Sequence, residues 1–368
     1  MVDCDINDNY QKLYHRLNEF TLDMDYLDSA KQRFKMCAQS GIFLHAIPSI
    51  YGGHGDSFLN LCKVHESLGY HVRDPGLIIS INAHIWGCIY PIILYGAQAQ
   101  KKKYLAPLLN GDIIGAYAFN EPSPWMKAVN MKSCADSHNG IYNLNAHKRF
   151  VVNCPISNLQ IVYLRTDKKV TSFLIEDRDN VELLDMIATE GFINATMGDL
   201  MLTDCKLDHS RILGGIGEGK EMIGFTREME RVFIFAGLIG VLKWQLEEIS
   251  VYVKTRRLHN HSPRYFQTID HKIVNMKMRL DTMRLWVYHC ANLKDNNNQI
   301  TMESAEAKVY CSEAFLQSSI ESTELMGAIG VSTDDFFIQG ILDGMTSKFI
   351  SGSVEYQRDI IAKYLGLG

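Results

Sequence analysis

The sequence predicts a mainly helical fold interrupted by a small antiparallel β insert, and three observations carry that reading. Apolar residues recur at helical spacing from Tyr10 to about Asp112, change to short period-two runs between about Ile113 and Leu213, and return to helical spacing from Gly217 onward. At 368 residues the chain is long for one ordinary core and suits two or three packed subdomains.

In the first region Leu13, Leu17 and Phe20, then Leu59, Val64 and Leu68, mark helices, with breaks at Pro48 to Gly55 and at Asp74-Pro75-Gly76. The middle region offers strands at Ile114 to Phe119, Ile141 to Ala146, Leu159 to Leu164, Ser172 to Glu176 and Asp199 to Leu202. Asn139-Gly140, just before Ile141, suits a two-residue hairpin because both positions tolerate positive φ. The last region reads as long helices broken at His259 to Pro263, Asp295 to Asn298 and Gly327 to Thr333.

Composition narrows the class. Hydrophobic residues make up 46% and charged residues 21%, which fits a globular protein. A net charge of -5 argues against nucleic acid as a partner, and Lys101-Lys102-Lys103 reads as a solvated helix face. The amino terminus is acidic and polar, and no stretch approaches ~18 uninterrupted apolar residues, so a cytoplasmic protein without a membrane span is expected. The nine cysteines (4, 37, 62, 88, 134, 154, 205, 290 and 311) form no Cys-x-x-Cys and no tight Cys/His cluster, so neither a disulfide framework nor a metal site is expected.

Glu230 stands out. Its neighbours at helical spacing, Phe233, Ile234, Gly237 and Val241, are written for burial. Burial disfavours a charged carboxylate and raises its pKa, which suits a general base for a weak carbon or hydroxyl acid. The competing reading is a helix-surface glutamate paired with Arg227 or Arg231.

Six strings in order resemble the acyl-CoA dehydrogenase family over nearly the whole chain: Tyr95 to Asp112, Ala116 to Pro122, Lys148 to Asn153, Gly191 to Lys206, Leu213 to Lys220 and Ser351 to Lys363. The resemblance implies an N-terminal helical domain over residues 1–112, a small antiparallel β-barrel-like middle domain over 113–213 and a C-terminal four-helix bundle over 214–368. It also implies FAD. The flavin ring would lie along Tyr117, Phe119, Asn120, Phe150, Val151 and Val152, where strand N–H groups can meet its polar edge. Arg256 falls where the family keeps an arginine for the FAD pyrophosphate of a neighbouring subunit, a task suited to its fork of donors. Phe266, Gln267, Glu324, Gly327, Ser353 and Glu355 fall on the remaining FAD contacts, and Ser353 is also a candidate N-cap for the last helix. A homo-oligomer follows from a shared cofactor site.

The departures are as informative. Most of the family places its base immediately before the glycine matched by Gly352, but Ser351 stands there, and a serine cannot take a proton at neutral pH unaided. Some branches, among them isovaleryl-CoA dehydrogenase, carry the glutamate on the long helix before an arginine, and Glu230-Arg231 matches that arrangement. Glu228, Arg231, Ser351 and Gly352 are the matching substrate-side positions. The family's Gly-rich turn is here Ser123-Pro124-Trp125-Met126-Lys127, the threonine beside flavin N5 is Val152, a usual glutamine is Glu324, and His259 replaces a usual phenylalanine.

These residues imply an FAD-dependent oxidation of an acyl thioester with Glu230 as base. The altered Ser123-to-Lys127 turn favours a hydroxyacyl or aminoacyl group on a phosphopantetheinylated carrier protein of secondary metabolism. A conventional acyl-CoA dehydrogenase and a flavin-free structural subunit are the alternatives, and either an electron-transfer flavoprotein or oxygen would reoxidise the flavin.

Overall fold

The computed structural model describes residues 26–123, 128–177, 179–256, 267–332 and 336–367. Leu13, Leu17, Phe20, His259, Phe266 and positions 124–127 of the Ser123-to-Lys127 turn lie outside them.

Helix α1 (Tyr26–Gln39) is followed by 3-10 turns at Ile42–Leu44 and Ser49–Tyr51. Helix α2 (Phe58–Val72) starts at Ser57, whose hydroxyl accepts from Asn60 N at 3.0 Å. Asp74 ends the next break by accepting from Leu77 N at 3.0 Å, with Pro75 at the first position of α3 (Pro75–His84). A π turn (Ile85–Ile89) links α3 to α4 (Tyr90–Tyr95), and α5 (Gln98–Leu109) follows. The run Pro75–Tyr95 is apolar and long enough to cross a membrane by composition alone, yet 94% of that window is buried inside the protein. Its apolarity is that of a core helix.

Among the described residues the sheet has eight strands: β1 (Gly115–Ala118), β2 (Cys134–His138), β3 (Ile141–Val152), β4 (Leu159–Thr166), β5 (Lys169–Glu176), β6 (Val181–Met186), β7 (Met197–Asp208) and β8 (Ile212–Leu213). Their order is β6-β7-β3-β2-β4-β5-β8, with β1 against β4. Asn139 and Gly140, at φ 51° and 79°, make the expected two-residue turn between the paired His138 and Ile141. The sheet is antiparallel in most pairings, but β1 runs parallel to β4, because β1 arrives from α5 and leaves through a long connection rather than a hairpin. Strand β2 carries little period-two signal because, of Cys134 to His138, only Ala135 is buried.

After the sheet come α6 (Gly219–Thr255), α7 (Gln267–Asp295), α8 (Thr301–Met326), α9 (Phe336–Ser347) and α10 (Val354–Tyr364). The 37-residue α6 is apolar around most of its circumference because α2, α7 and α8 surround it. Two apolar cores result, one among the helices and one inside the sheet. Strand alternation puts Tyr117 and Phe119 toward the helical core while Ala116 and Ala118 enter the sheet core. His84 fixes β1 against the helices: its Nδ1 accepts from Gly115 N at 2.9 Å and its Nε2 donates to Leu108 O at 3.0 Å. Burial holds this histidine neutral, with its pKa lowered to about 4.

Candidate active site

Glu230 lies on α6 at the seam between the two cores and is 3% exposed. Among the described residues it forms no ion pair. Its partners are two hydroxyls on the same oxygen: Tyr117 donates to Oε2 at 2.5 Å, and Ser351 donates to it at 2.8 Å. The surface-pair reading of Glu230 is thereby set aside.

Each partner is placed by its own element. The Tyr117 ring rests on the bare backbone of the π turn, where a Cβ on Gly87 would stand 2.0 Å from Tyr117 Cδ1. Thr226 of α6 donates to Trp86 O in that turn at 3.0 Å, so α6 and β1 meet through it. Ser351 sits at φ 56°, in the left-handed region, in the loop between α9 and α10. That loop is pinned by Gln357 Nε2, which donates to Ser351 O at 3.3 Å and Gly352 O at 3.2 Å.

A small cleft around Glu230 is lined by Phe192, Arg231, Phe235, Lys308, Ile350 and Ser351, among others. Desolvation raises the Glu230 pKa, opposed by the Tyr117 and Ser351 bonds and the charges of Arg227 and Lys308. Burial lowers Lys308 to about 7, helped by nearby Arg231 and resisted by Cys311 and Glu230. Its ammonium lies 5.4 Å above the Phe235 ring and donates to Ser347 O. Arg231 is 5% exposed, and its Nε and Nη1 have no hydrogen-bond partner among the described residues. Buried donors of this kind are ordinarily satisfied, so they are available to an acceptor on a ligand. The cleft thus holds one carboxylate with a raised pKa, two hydroxyls fixed on it and two basic side chains, a set able to remove a proton and stabilise the anion that forms.

Other expected positions fall into three groups. Phe119 stacks on Tyr117 with ring centroids 5.6 Å apart, and the Arg227 guanidinium lies 4.4 Å over it. With partly buried Val152 they form an apolar wall facing the helices. Val151 points the other way, into the sheet core, so only its backbone can face a ring. Phe150, at φ 53°, is half exposed, and Asn120 is exposed with its carbonyl accepting from Arg149 N at 3.1 Å.

In the second group Arg256, Gln267, Glu324 and Gly327 lie at the far end of the bundle, about 26 residues along α6 from Glu230, or roughly 39 Å at the helical rise, whereas Ser353 and Glu355 follow Ser351 at the Glu230 end. Arg256 caps α6 there, and its Nη1 donates to Met326 O at 3.4 Å beside Gly327. Gln267 begins α7, and Glu324 pairs with Lys272 of that helix. Ser353 is the N-cap of α10, accepting from Tyr356 N at 3.3 Å. Glu355, exposed in the first turn of α10, already places a negative charge at that helix end.

The third group is Glu228. Glu228, expected on the substrate side, instead binds the start of α8, accepting from Thr301 Oγ1 at 2.7 Å and lying 3.7 Å from Lys294 Nζ. Two residues apart on a helix, Glu228 and Glu230 project about 200° from one another, and Glu228 is turned toward the start of α8. Sequence reasoning also missed Lys308, although a lysine in line with Ser304, Cys311 and Phe315 on a buried row is the mark it leaves. It missed Phe192 too, whose N–H donates to Asp343 Oδ1 at 2.6 Å.

Comparison with known proteins bears on this geometry. Residues 14–112 match the acyl-CoA dehydrogenase N-terminal domain, and residues 217–366 match the acyl-CoA dehydrogenase C-terminal domain. The chain belongs to the acyl-CoA dehydrogenase family. It is 28% identical over 348 residues to an L-prolyl-[peptidyl-carrier protein] dehydrogenase of Pseudomonas fluorescens, covering 91% of this chain and 90% of the relative. The prolyl acyl carrier protein oxidase AnaB superposes with a TM-score of 0.90 at 30% identity over 100% of both chains. PigA with FAD and proline gives 0.90 at 26% identity, covering 100% of this chain and 99% of PigA.

Proposed function

We propose that this member of the family is an FAD-dependent dehydrogenase acting on an aminoacyl or hydroxyacyl group tethered by phosphopantetheine to a carrier protein. The observation that carries the reading is Glu230, a buried carboxylate held by two hydroxyls beside an apolar wall. Full-length similarity to prolyl-carrier enzymes supports the tethered substrate.

The residues present suit the cofactor. Tyr117, Phe119 and Val152 give a flat apolar surface next to the cleft, and Arg231 offers donors within it that are unpartnered among the described residues. When bound, FAD supplies the acceptor for hydride. Glu230 takes the proton from the substrate. Because Tyr117 and Ser351 both hold Oε2, Oε1 can accept that proton without either bond being broken. Lys308, which lines the same cleft, and Arg227 favour the ionised carboxylate. The distance between Glu230 and Arg256 along α6 supports a homo-oligomer in which each cofactor touches two chains. For reoxidation, oxygen is supported by the neighbour described as an oxidase.

The test is anaerobic flavin bleaching of the FAD-loaded protein with one acyl group presented on a carrier or on CoA. Faster bleaching by the carrier-bound form is expected. Efficient bleaching by CoA thioesters alone would replace this reading with a conventional acyl-CoA dehydrogenase, and protein that takes up no FAD would point to a flavin-free subunit.

A further inference from the structure

The loop that joins the first 3-10 turns to α2 gathers His45, His54 and Asp56 so that one donor atom of each lies within 4.8 Å of the others. His45 Nδ1 is 2.7 Å from Asp56 Oδ2, and the two imidazoles meet edge to face with centroids 4.8 Å apart. The backbone holds this arrangement. His54 N donates to Leu44 O at 2.9 Å, Gly55 N donates to Ile47 O at 2.8 Å, and a Cβ on Gly53 would stand 2.2 Å from Ile47 O. Asp56 is oriented in turn by Ala46 N at 2.6 Å and Asn60 Nδ2 at 2.5 Å. The loop is tied to the core where the Tyr90 hydroxyl donates to Ala46 O at 2.5 Å.

We propose that His45, His54 and Asp56 bind one divalent transition-metal ion of the zinc class. Two imidazole nitrogens and a carboxylate oxygen are a zinc ligand set, and bonds of ~2.0–2.2 Å place tetrahedral ligands roughly 3.3 Å apart. Rotation of the exposed His54 side chain closes the difference, and its exposure leaves the fourth position to water. The bonds from Ala46 and Asn60 orient the carboxylate as outer-shell partners do. Zinc ligands bind in their deprotonated forms, so entry of the ion releases protons to solvent. The ion clips the segment after α1 to the start of α2, whose first N–H groups, on Phe58 and Leu59, donate to Asp295 of α7. Its role is structural and independent of the chemistry at Glu230. The spacing, His-x8-His-x-Asp, follows no familiar finger pattern, which is why the sequence alone raised no metal site.

Zinc titration of the tag-free, FAD-loaded protein by calorimetry, with cobalt absorption as a second readout, tests the proposal. One equivalent bound at micromolar zinc, with a raised melting temperature, is expected for the parent and loss of that equivalent for His54→Gln and Asp56→Asn. His54→Gln alters an exposed side chain, so its fold should survive and be verified by circular dichroism. No stoichiometric binding by the parent would overturn the site, as would binding that His54→Gln leaves unchanged.

Discussion

Ser351 Oγ lies 2.8 Å from Glu230 Oε2, so the loop position where most of the family keeps its base here supports a carboxylate carried on α6. A hydrogen bond to the charged form lowers a carboxyl pKa, and removing it raises that pKa. Ser351→Ala should therefore shift the rising limb of the pH–rate profile for flavin reduction to higher pH. A bond to a charged group contributes about 1.5–3 kcal/mol and one pKa unit is about 1.4 kcal/mol, so the expected shift is about one to two units. Rapid-mixing rates across pH read it directly, and an unmoved profile would mean the Ser351 bond does not form in the working enzyme.

Glu230→Gln preserves volume and can keep a partner for Tyr117, but an amide cannot take the proton. Flavin reduction should fall about 10²–10⁴-fold while FAD and substrate still bind. Adding Ser351→Glu in that background returns a carboxylate to the other end of the same contact and should recover part of the rate. Parental rates in the single variant would send the search for the base elsewhere.

Glu230 was legible because its surroundings are local: an acid among apolar residues on one helix shows in the sequence as it does in space. Long helices and the Asn139-Gly140 hairpin were readable for the same reason. What brings Tyr117, Ser351 and Lys308 to that carboxylate depends on how β1, the α9–α10 loop and α8 pack around α6, and no local period encodes it. The parallel pairing of β1 with β4 and the His45–His54–Asp56 cluster are likewise products of chain path. The tie from Glu228 to Thr301 at the start of α8 is a product of chain path in the same way.

Lys308 should leave a signature in stability. Its pKa is about 7 in the folded protein and an ordinary 10.5 when unfolded, so between those values the unfolded chain binds more protons. Stability contributed at this site therefore rises with pH across that window. Lys308→Met removes the titration, and the stability difference, parent minus variant, should grow in the parent's favour from pH 7 toward pH 10. Denaturant melts at several pH values measure it, and a flat difference would mean Lys308 remains charged throughout.

Arg256, capping α6 at the end remote from Glu230, is the sharpest test of how the cofactor is shared. Arg256→Lys keeps the charge but loses the planar fork, so FAD retention should fall about 10–100-fold, the equivalent of one charge-assisted bond, without loss of the fold. Mixing Arg256→Lys and Glu230→Gln chains then separates two arrangements. If each FAD sits between chains, a mixed pair contains one site built from an intact Glu230 and its partner's intact arginine, and activity should return. If both residues serve the same site from one chain, every site in the mixture is defective and activity stays low. Recovery on reassembly, read by anaerobic flavin reduction, supports the shared site, and its absence from verified mixed oligomers would confine the cofactor to one chain.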